Sequence, residues 1–255
     1  MPSCALADGK CGRIGVPCSS RACIARTLGR LHEKRWREKL GLFFVEGEDL
    51  VEAATAEPVD LLRAGEDVEP RLLAEVASAP HPPRVVAVYR RSDLPAWEER
   101  DATLALWKLA DPGNLGTLIR TADAFGAAVC LSDGCADPTS PKALRASAGS
   151  IWRVPIGPWA GASNSLLQAT RVALVAHGGA PLASLDLSGR VAFLLGAERD
   201  GLPGQVERDL EATISIAGAE SLNVAASGAI ALYERARQTQ IESSPPRHGV
   251  RSNQP

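Results

Sequence analysis

No apolar run in this chain approaches the roughly 20 residues that cross a bilayer, and the N-terminus lacks the apolar segment and small-residue cleavage site of a secretion leader. Neither a membrane role nor export is indicated, and a cytoplasmic enzyme is the default expectation. No Gly-x-Gly-x-x-Gly follows the first strand of either half, which argues against a nucleotide-dependent oxidoreductase. No internal repeat is found. Of six cysteines, Cys4, Cys11, Cys18 and Cys23 crowd the N-terminus with only His32 near them, and they read as incidental thiols of an unstructured tail. Cys130 and Cys135 read as core or near-core residues. No metal site and no redox function is expected.

Nor is there a marked excess of charge, the formal net value being −2. The distribution says more than the sum. Residues 1–40 carry 9 Lys/Arg against 3 Asp/Glu, whereas residues 41–110 carry 7 against 14. The positive charge gathers at Arg26, Arg30, Lys34, Arg35, Arg37 and Lys39. A local basic face suffices to engage phosphates on a near-neutral protein, although charge alone equally describes a solvated helix face.

What is present fits a globular α/β protein: 255 residues, 45% hydrophobic and 23% charged, enough for a medium domain and a smaller companion. Residues 1–21 and 241–255 read as disordered tails. Between them, residues 22–98 form one block. It begins with a basic amphipathic helix carrying Leu28, Leu31, Trp36 and Leu40. Strands over Leu42–Val45, Val59–Arg63 and Val85–Tyr89 follow, with helices over Glu48–Ala56 and Pro70–Ala77 between them. Residues 99–240 form a second block. Strands are expected over Leu104–Leu109, Ala128–Leu131, Arg171–Ala176, Val191–Leu195 and Thr213–Ile216, and helices over Leu115–Phe125, Lys142–Ser150 and Ser221–Gln238. The near-continuous apolar strands suit a parallel sheet covered on both faces.

Three stretches of the second block sit where a strand gives way to a loop or helix: Asp111-Pro-Gly-Asn-Leu-Gly-Thr-Leu-Ile-Arg120, Leu195-Gly-Ala-Glu-Arg-Asp-Gly-Leu202 and Ile214-Ser-Ile-Ala-Gly-Ala-Glu-Ser-Leu-Asn-Val224. Ligands of α/β sheets bind beyond the carboxyl ends of the strands, so three glycine-bearing polar loops there describe one pocket. Asn114 is expected to cap its helix and Ser221 the closing helix. Arg120, on an otherwise apolar helix, must either pair with Asp123 or reach a polar cleft, and the cleft is favoured. Glu198 either orients a catalytic group or pairs with Arg199. Asn223 adds an amide that both donates and accepts. The small residues from Ala225 to Ala229 suit close helix packing, across a dimer interface among other places.

These three ordered stretches resemble the signature motifs of the SpoU, or TrmH, family of RNA ribose 2′-O-methyltransferases within the SPOUT superfamily. The resemblance spans about Leu104 to Gln238 and takes in the segment Lys142–Ser150 with Val154-Pro155. Leu42-Phe-Phe-Val-Glu-Gly-Glu48 more loosely resembles the family's RNA-binding N-terminal domain.

The resemblance implies a parallel-sheet SPOUT domain with a C-terminal trefoil knot, preceded by a small α/β RNA-binding domain. It implies S-adenosyl-L-methionine as cofactor, held near Ala176, His177, Gly178, Leu195, Gly196, Ile216, Leu222 and Asn223. His177 is placed in the pocket but outside the catalytic set. That set is Arg120, Asn114, Glu198, Asn223 and Ser221, with Arg120 stabilising the developing alkoxide. Arg30, Lys34, Arg35, Arg37 and Arg145 are the expected RNA contacts. A homodimer acting on RNA, ribosomal rather than transfer RNA, is implied, with a second subunit's Arg120 completing a site. A non-catalytic RNA-binding or ribosome-assembly factor on the same fold is the competing reading, and the intact polar positions argue against it.

Overall fold

The computed structural model describes residues 27–78, 81–159, 166, 168–216 and 220–243. The expected tail at 1–21 and the four N-terminal cysteines lie outside the described residues, as does the expected C-terminal tail beyond Ser243.

The first block is a three-stranded antiparallel sheet of order β1–β3–β2, from β1 (Leu42–Glu46), β2 (Asp60–Arg63) and β3 (Val85–Arg90). Helix α1 (Lys34–Leu40) precedes it, and α2 (Glu48–Glu52) and α3 (Pro70–Val76) lie within it. Successive strand residues face opposite sides, yet every residue of β1 is buried, because the sheet is covered on both sides. Leu42, Phe44, Leu62, Val86 and Val88 pack with Leu28, Leu31, Leu73 and Val76 on one side. Phe43, Val45, Ala87 and Tyr89 face the other way into the core of the second block. There Trp152 stands edge-on to Tyr89 at 4.8 Å between ring centres, so one hydrophobic core runs through both blocks.

The expected single amphipathic helix is instead a helical turn at 27–31 followed by α1. Leu40, expected on its apolar face, is exposed, and Arg37 takes the inward position at 2% exposure.

The second block is a seven-stranded sheet in which every pairing is parallel. Its strands are β4 (Ala102–Leu106), β5 (Ala128–Leu131), β6 (Ile156–Pro158), β7 (Thr170–Leu174), β8 (Ala180–Pro181), β9 (Val191–Leu195) and β10 (Leu210–Thr213). Their order is β6–β5–β4–β9–β7–β10–β8. Central β4 and β9 pair from Ala102↔Val191 to Leu106↔Leu195, so these two strands end level. Helices α4 (Pro112–Ala124), α5 (Pro141–Ser147) and α6 (Val224–Ser243) complete the block.

Leu115, Leu118 and Ile119 of α4 and Ala225, Ala231 and Leu232 of α6 share a core with Leu104, Phe193 and Leu195. The small-residue run of α6 is used within the chain: a Cβ on Gly228 would stand 2.5 Å from Cδ2 of Leu118. Short β6 and β8 escape sequence reading because three and two residues hold no periodicity. The last strand lies three residues earlier than expected, at Leu210–Thr213 rather than Thr213–Ile216. Glu211 hides it, and the apolar Ile214 and Ile216 that suggested a strand belong to the loop beyond. Among the described residues no helix is long and apolar enough to cross a membrane.

Candidate active site

The level ends of the central strands put the three sequence motifs side by side. Helix α4 opens with Asp111, whose side chain accepts from the backbone N–H of Asn114 at 2.8 Å, followed by Pro112 at the first helical position. Asp111, not Asn114, is therefore the cap, and proline suits a position with no N–H partner to lose. Lys142 of α5 donates to Asp111 at 2.6 Å. That bond and the Asn114 N–H hold the Asp111 carboxyl below the usual carboxylate range.

Relieved of capping, the Asn114 side chain faces outward from its helix start to the other two motifs. Its Nδ2 donates to Glu198 at 3.2 Å, and its Oδ1 accepts from Nδ2 of Asn223 at 3.1 Å. Asn223 also caps α6, its Oδ1 accepting from the N–H of Ala225 at 2.8 Å. The expected cap, Ser221, lies two residues before that position. Both ends of each amide are thus used, and three residues far apart in sequence form one chain of hydrogen bonds.

Beside this chain opens a cleft of about 820 Å³, within the range of small-molecule sites. Ala176, His177 and Gly178 after β7, Leu195 at the end of β9 with Gly196 beyond it, and Ile216, Leu222 and Asn223 after β10 all line it, as do Glu198 and Ser221. The turn after β9 is tight: Ala197 and Gly201 exchange backbone hydrogen bonds at 3.1 and 3.0 Å. A Cβ on Gly196 would fall 2.1 Å from the Gly201 carbonyl carbon, so only glycine fits there. This glycine serves the turn as well as the cleft. Ile216 is an apolar side chain left 49% exposed at a cleft that also holds the carboxylates of Glu198 and Glu220. A ligand with an apolar face and a positive centre suits such a lining.

Sequence reasoning did not single out Val175, Gly179, Thr213, Glu220 or Ser227, which also line the cleft. Thr213, expected at the start of the last strand, instead ends it, and its hydroxyl accepts from the Gly179 N–H at 3.0 Å.

Arg120 is not brought to this cleft within one chain. It is exposed on α4, and among the described residues it has no hydrogen-bonding or ion-pair partner. Asp123, the alternative partner, is held by Arg153 at 2.6 Å.

The expected RNA contacts divide. Arg30, Lys34 and Arg35 are exposed. Arg37 is not available to a phosphate, because its Nε meets Asp137 at 2.8 Å and its Nη1 donates to the carbonyls of Leu31 and His32. Both side chains of that ion pair are 3% exposed. Arg145 binds Glu46 at 3.1 Å and also donates to Ser78. Both arginines therefore tie the first block to the second.

Comparison with known proteins follows the same outline. Residues 101–233 match the SpoU rRNA Methylase family. The 23S rRNA (guanosine(2553)-2'-O)-methyltransferase RlmP of Bacillus subtilis (strain 168) is 34% identical over 238 residues, covering 80% of this chain and 92% of that protein. The SpoU methyltransferase AviRb from Streptomyces viridochromogenes, solved in complex with the cofactor AdoMet, superposes with a TM-score of 0.76 at 25% identity, over 87% of this chain and 99% of that one. An AdoMet-bound rRNA methyltransferase from Sinorhizobium meliloti gives 0.75 at 28% identity, over 84% and 94%.

Proposed function

Because the chain belongs to the SpoU rRNA methylase family, we propose that it methylates a ribose 2′-hydroxyl of ribosomal RNA from S-adenosylmethionine, as a cytoplasmic homodimer. One observation carries this reading: the Asn114–Glu198–Asn223 chain of hydrogen bonds ties the start of α4 to two of the loops that line a single cleft. The knot is part of the proposal. It is supported by β10 pairing with both β7 and β8 while α6, which follows it, returns to pack on α4.

The residues present fit the cofactor. Ile216, Leu195 and Leu222 offer apolar contact, the loop at 176–178 offers backbone, and Glu198 and Glu220 offer negative charge to a cation. S-adenosylmethionine supplies a methyl group activated on a sulfonium. Transfer to a hydroxyl requires oxygen, carbon and sulfur in line and assistance to the departing proton. Asn114, Glu198 and Asn223 hold the loops that set this alignment, and Ser221 stands beside them. A guanidinium stays charged in proteins, so Arg120 stabilises the developing alkoxide and adjacent phosphate rather than accepting the proton. Its exposed position supports delivery from a second copy of the chain. Phe125, 36% exposed at the end of α4, and Tyr233, 59% exposed on α6, offer the apolar surface such a dimer covers.

Calorimetry with S-adenosylmethionine, followed by tritium incorporation into ribosomal and transfer RNA from a strain lacking the gene, tests the reading. Saturable binding with label in 2′-O-methylated ribosomal RNA is expected. Absence of binding, or binding without incorporation, overturns it, and label confined to transfer RNA moves the substrate.

A further inference from the structure

Trp36 of α1 is the centre of a basic cluster, with Cζ of Arg30, from the preceding helical turn, at 4.6 Å from its ring centre, Nζ of Lys39 at 5.0 Å and Cζ of Arg35 at 5.8 Å. Arg35 is neutralised by Glu33 at 2.7 Å. Arg30 and Lys39 have no carboxylate partner among the described residues. An incompletely buried indole flanked by two unneutralised cations is the chemistry that receives an unpaired nucleotide: a base stacks on the aromatic or guanidinium plane, and the cations take its phosphates. A fold-stabilising role alone explains one cation on the ring; it does not explain two left without counter-charge on a molecule of net charge −2.

The opposite side of the same short helix is fixed. Arg37, next to Trp36, is locked to Asp137 at 2.8 Å, and Arg91 joins Asp137 at 3.2 Å and Thr139 at 2.7 Å. Asp137 lies in the loop after β5, on the sheet that carries the cleft. The cluster is thereby held at a set position relative to the site rather than on a swinging arm.

We infer that Trp36, with Arg30 and Lys39, is a docking platform for an unpaired base of the RNA substrate, held in register with the cleft by the Arg37–Asp137 pair. The inference rests on the RNA-directed reading above and adds the kind of RNA recognised: a single-stranded loop or bulge rather than duplex.

The test measures anisotropy of a labelled oligoribonucleotide of roughly 12 nucleotides, alone or annealed to its complement, with the full-length protein. Trp36→Ala should weaken single-strand binding about tenfold, the scale of one base stack, and leave duplex binding unchanged. Trp36→Phe should restore most of the loss, and KM for ribosomal RNA should rise in parallel with the binding loss. Parent-like single-strand binding by Trp36→Ala, or equal loss for strand and duplex, overturns the inference. Should Trp36→Ala fail to fold, Arg30→Gln with Lys39→Gln carries the test, and parent-like single-strand binding again overturns it. A parent protein that neither binds S-adenosylmethionine nor methylates RNA brings down the activity reading instead, while the strand-versus-duplex contrast still judges the platform.

Discussion

Asn223 and Asn114 meet amide to amide at 3.1 Å, joining the start of the closing helix to the start of α4 across 109 residues of sequence. The bond has a direction, because Asn223 spends its oxygen on the cap and has only its Nδ2 to give. Asn223→Asp keeps the cap but sets a carboxylate against the Asn114 oxygen. Methyl transfer should fall at least tenfold, with a melting temperature near that of the parent. Asn223→Ala should in addition lose about 1 kcal/mol of stability with the cap. Steady-state kinetics beside thermal melts separate the two.

The proposed delivery of Arg120 from a second copy is open to a complementation test. Arg120→Ala and Glu198→Ala homodimers should each lose about a hundredfold or more in rate. Co-refolded mixtures should regain about a quarter of parent activity, because half the dimers are mixed and each holds one intact site. If both groups act from one chain, the mixtures stay inactive.

The Arg37–Asp137 pair predicts an asymmetric response to mutation. Asp137→Asn leaves a buried guanidinium without its counter-charge and should cost about 3–5 kcal/mol, read by urea unfolding. Arg37→Met with Asp137→Leu removes both charges and should cost distinctly less, since replacing a whole buried pair by apolar groups is often close to neutral.

The same carboxyl sets an acid limit. Burial pushes the Asp137 pKa up, but the Arg91 charge, the Thr139 hydrogen bonds and Arg37 outweigh it and hold the pKa below its usual value. A pKa depressed on folding contributes stability in full above the unfolded value of about 3.9 and loses it as pH falls through the folded value. Unfolding free energy should therefore decline below about pH 4, and Asp137→Asn should show a shallower decline over that window.

Gly228 should resist replacement. Alanine in a helix interior normally gains up to about 1 kcal/mol over glycine. Here its methyl would stand 2.5 Å from Leu118 and 3.3 Å from Leu195, both buried. Gly228→Ala should lose stability despite the propensity gain, and Gly228→Val should cost about 1–3 kcal/mol or more, read by thermal melts.

The wholly apolar strands of four and five residues were legible because burial leaves an unbroken signal: Val191–Leu195 is found as expected, and Ala128–Leu131 likewise. The three loops were legible because turn residues and polar side chains interrupt such runs. The caps were misassigned by three residues at α4 and by two at α6, since Asp, Asn and Ser are all competent caps and only the backbone chooses among them. Arg37 could not be told from its exposed neighbours on α1, because its partner lies 100 residues away. Arg120 illustrates a different limit: the sequence favoured a polar cleft for it, whereas the folded chain leaves it exposed on α4 and outside the cleft.

The cleft draws its walls from residues 174–179, 195–201, 213–216 and 220–227, the last of which belong to the closing helix. A polypeptide still being synthesised has no complete donor site until that final segment has emerged and docked. Competence for chemistry thus waits on residues 220–227, and a truncation before Glu220 yields a sheet whose chamber lacks the wall they supply.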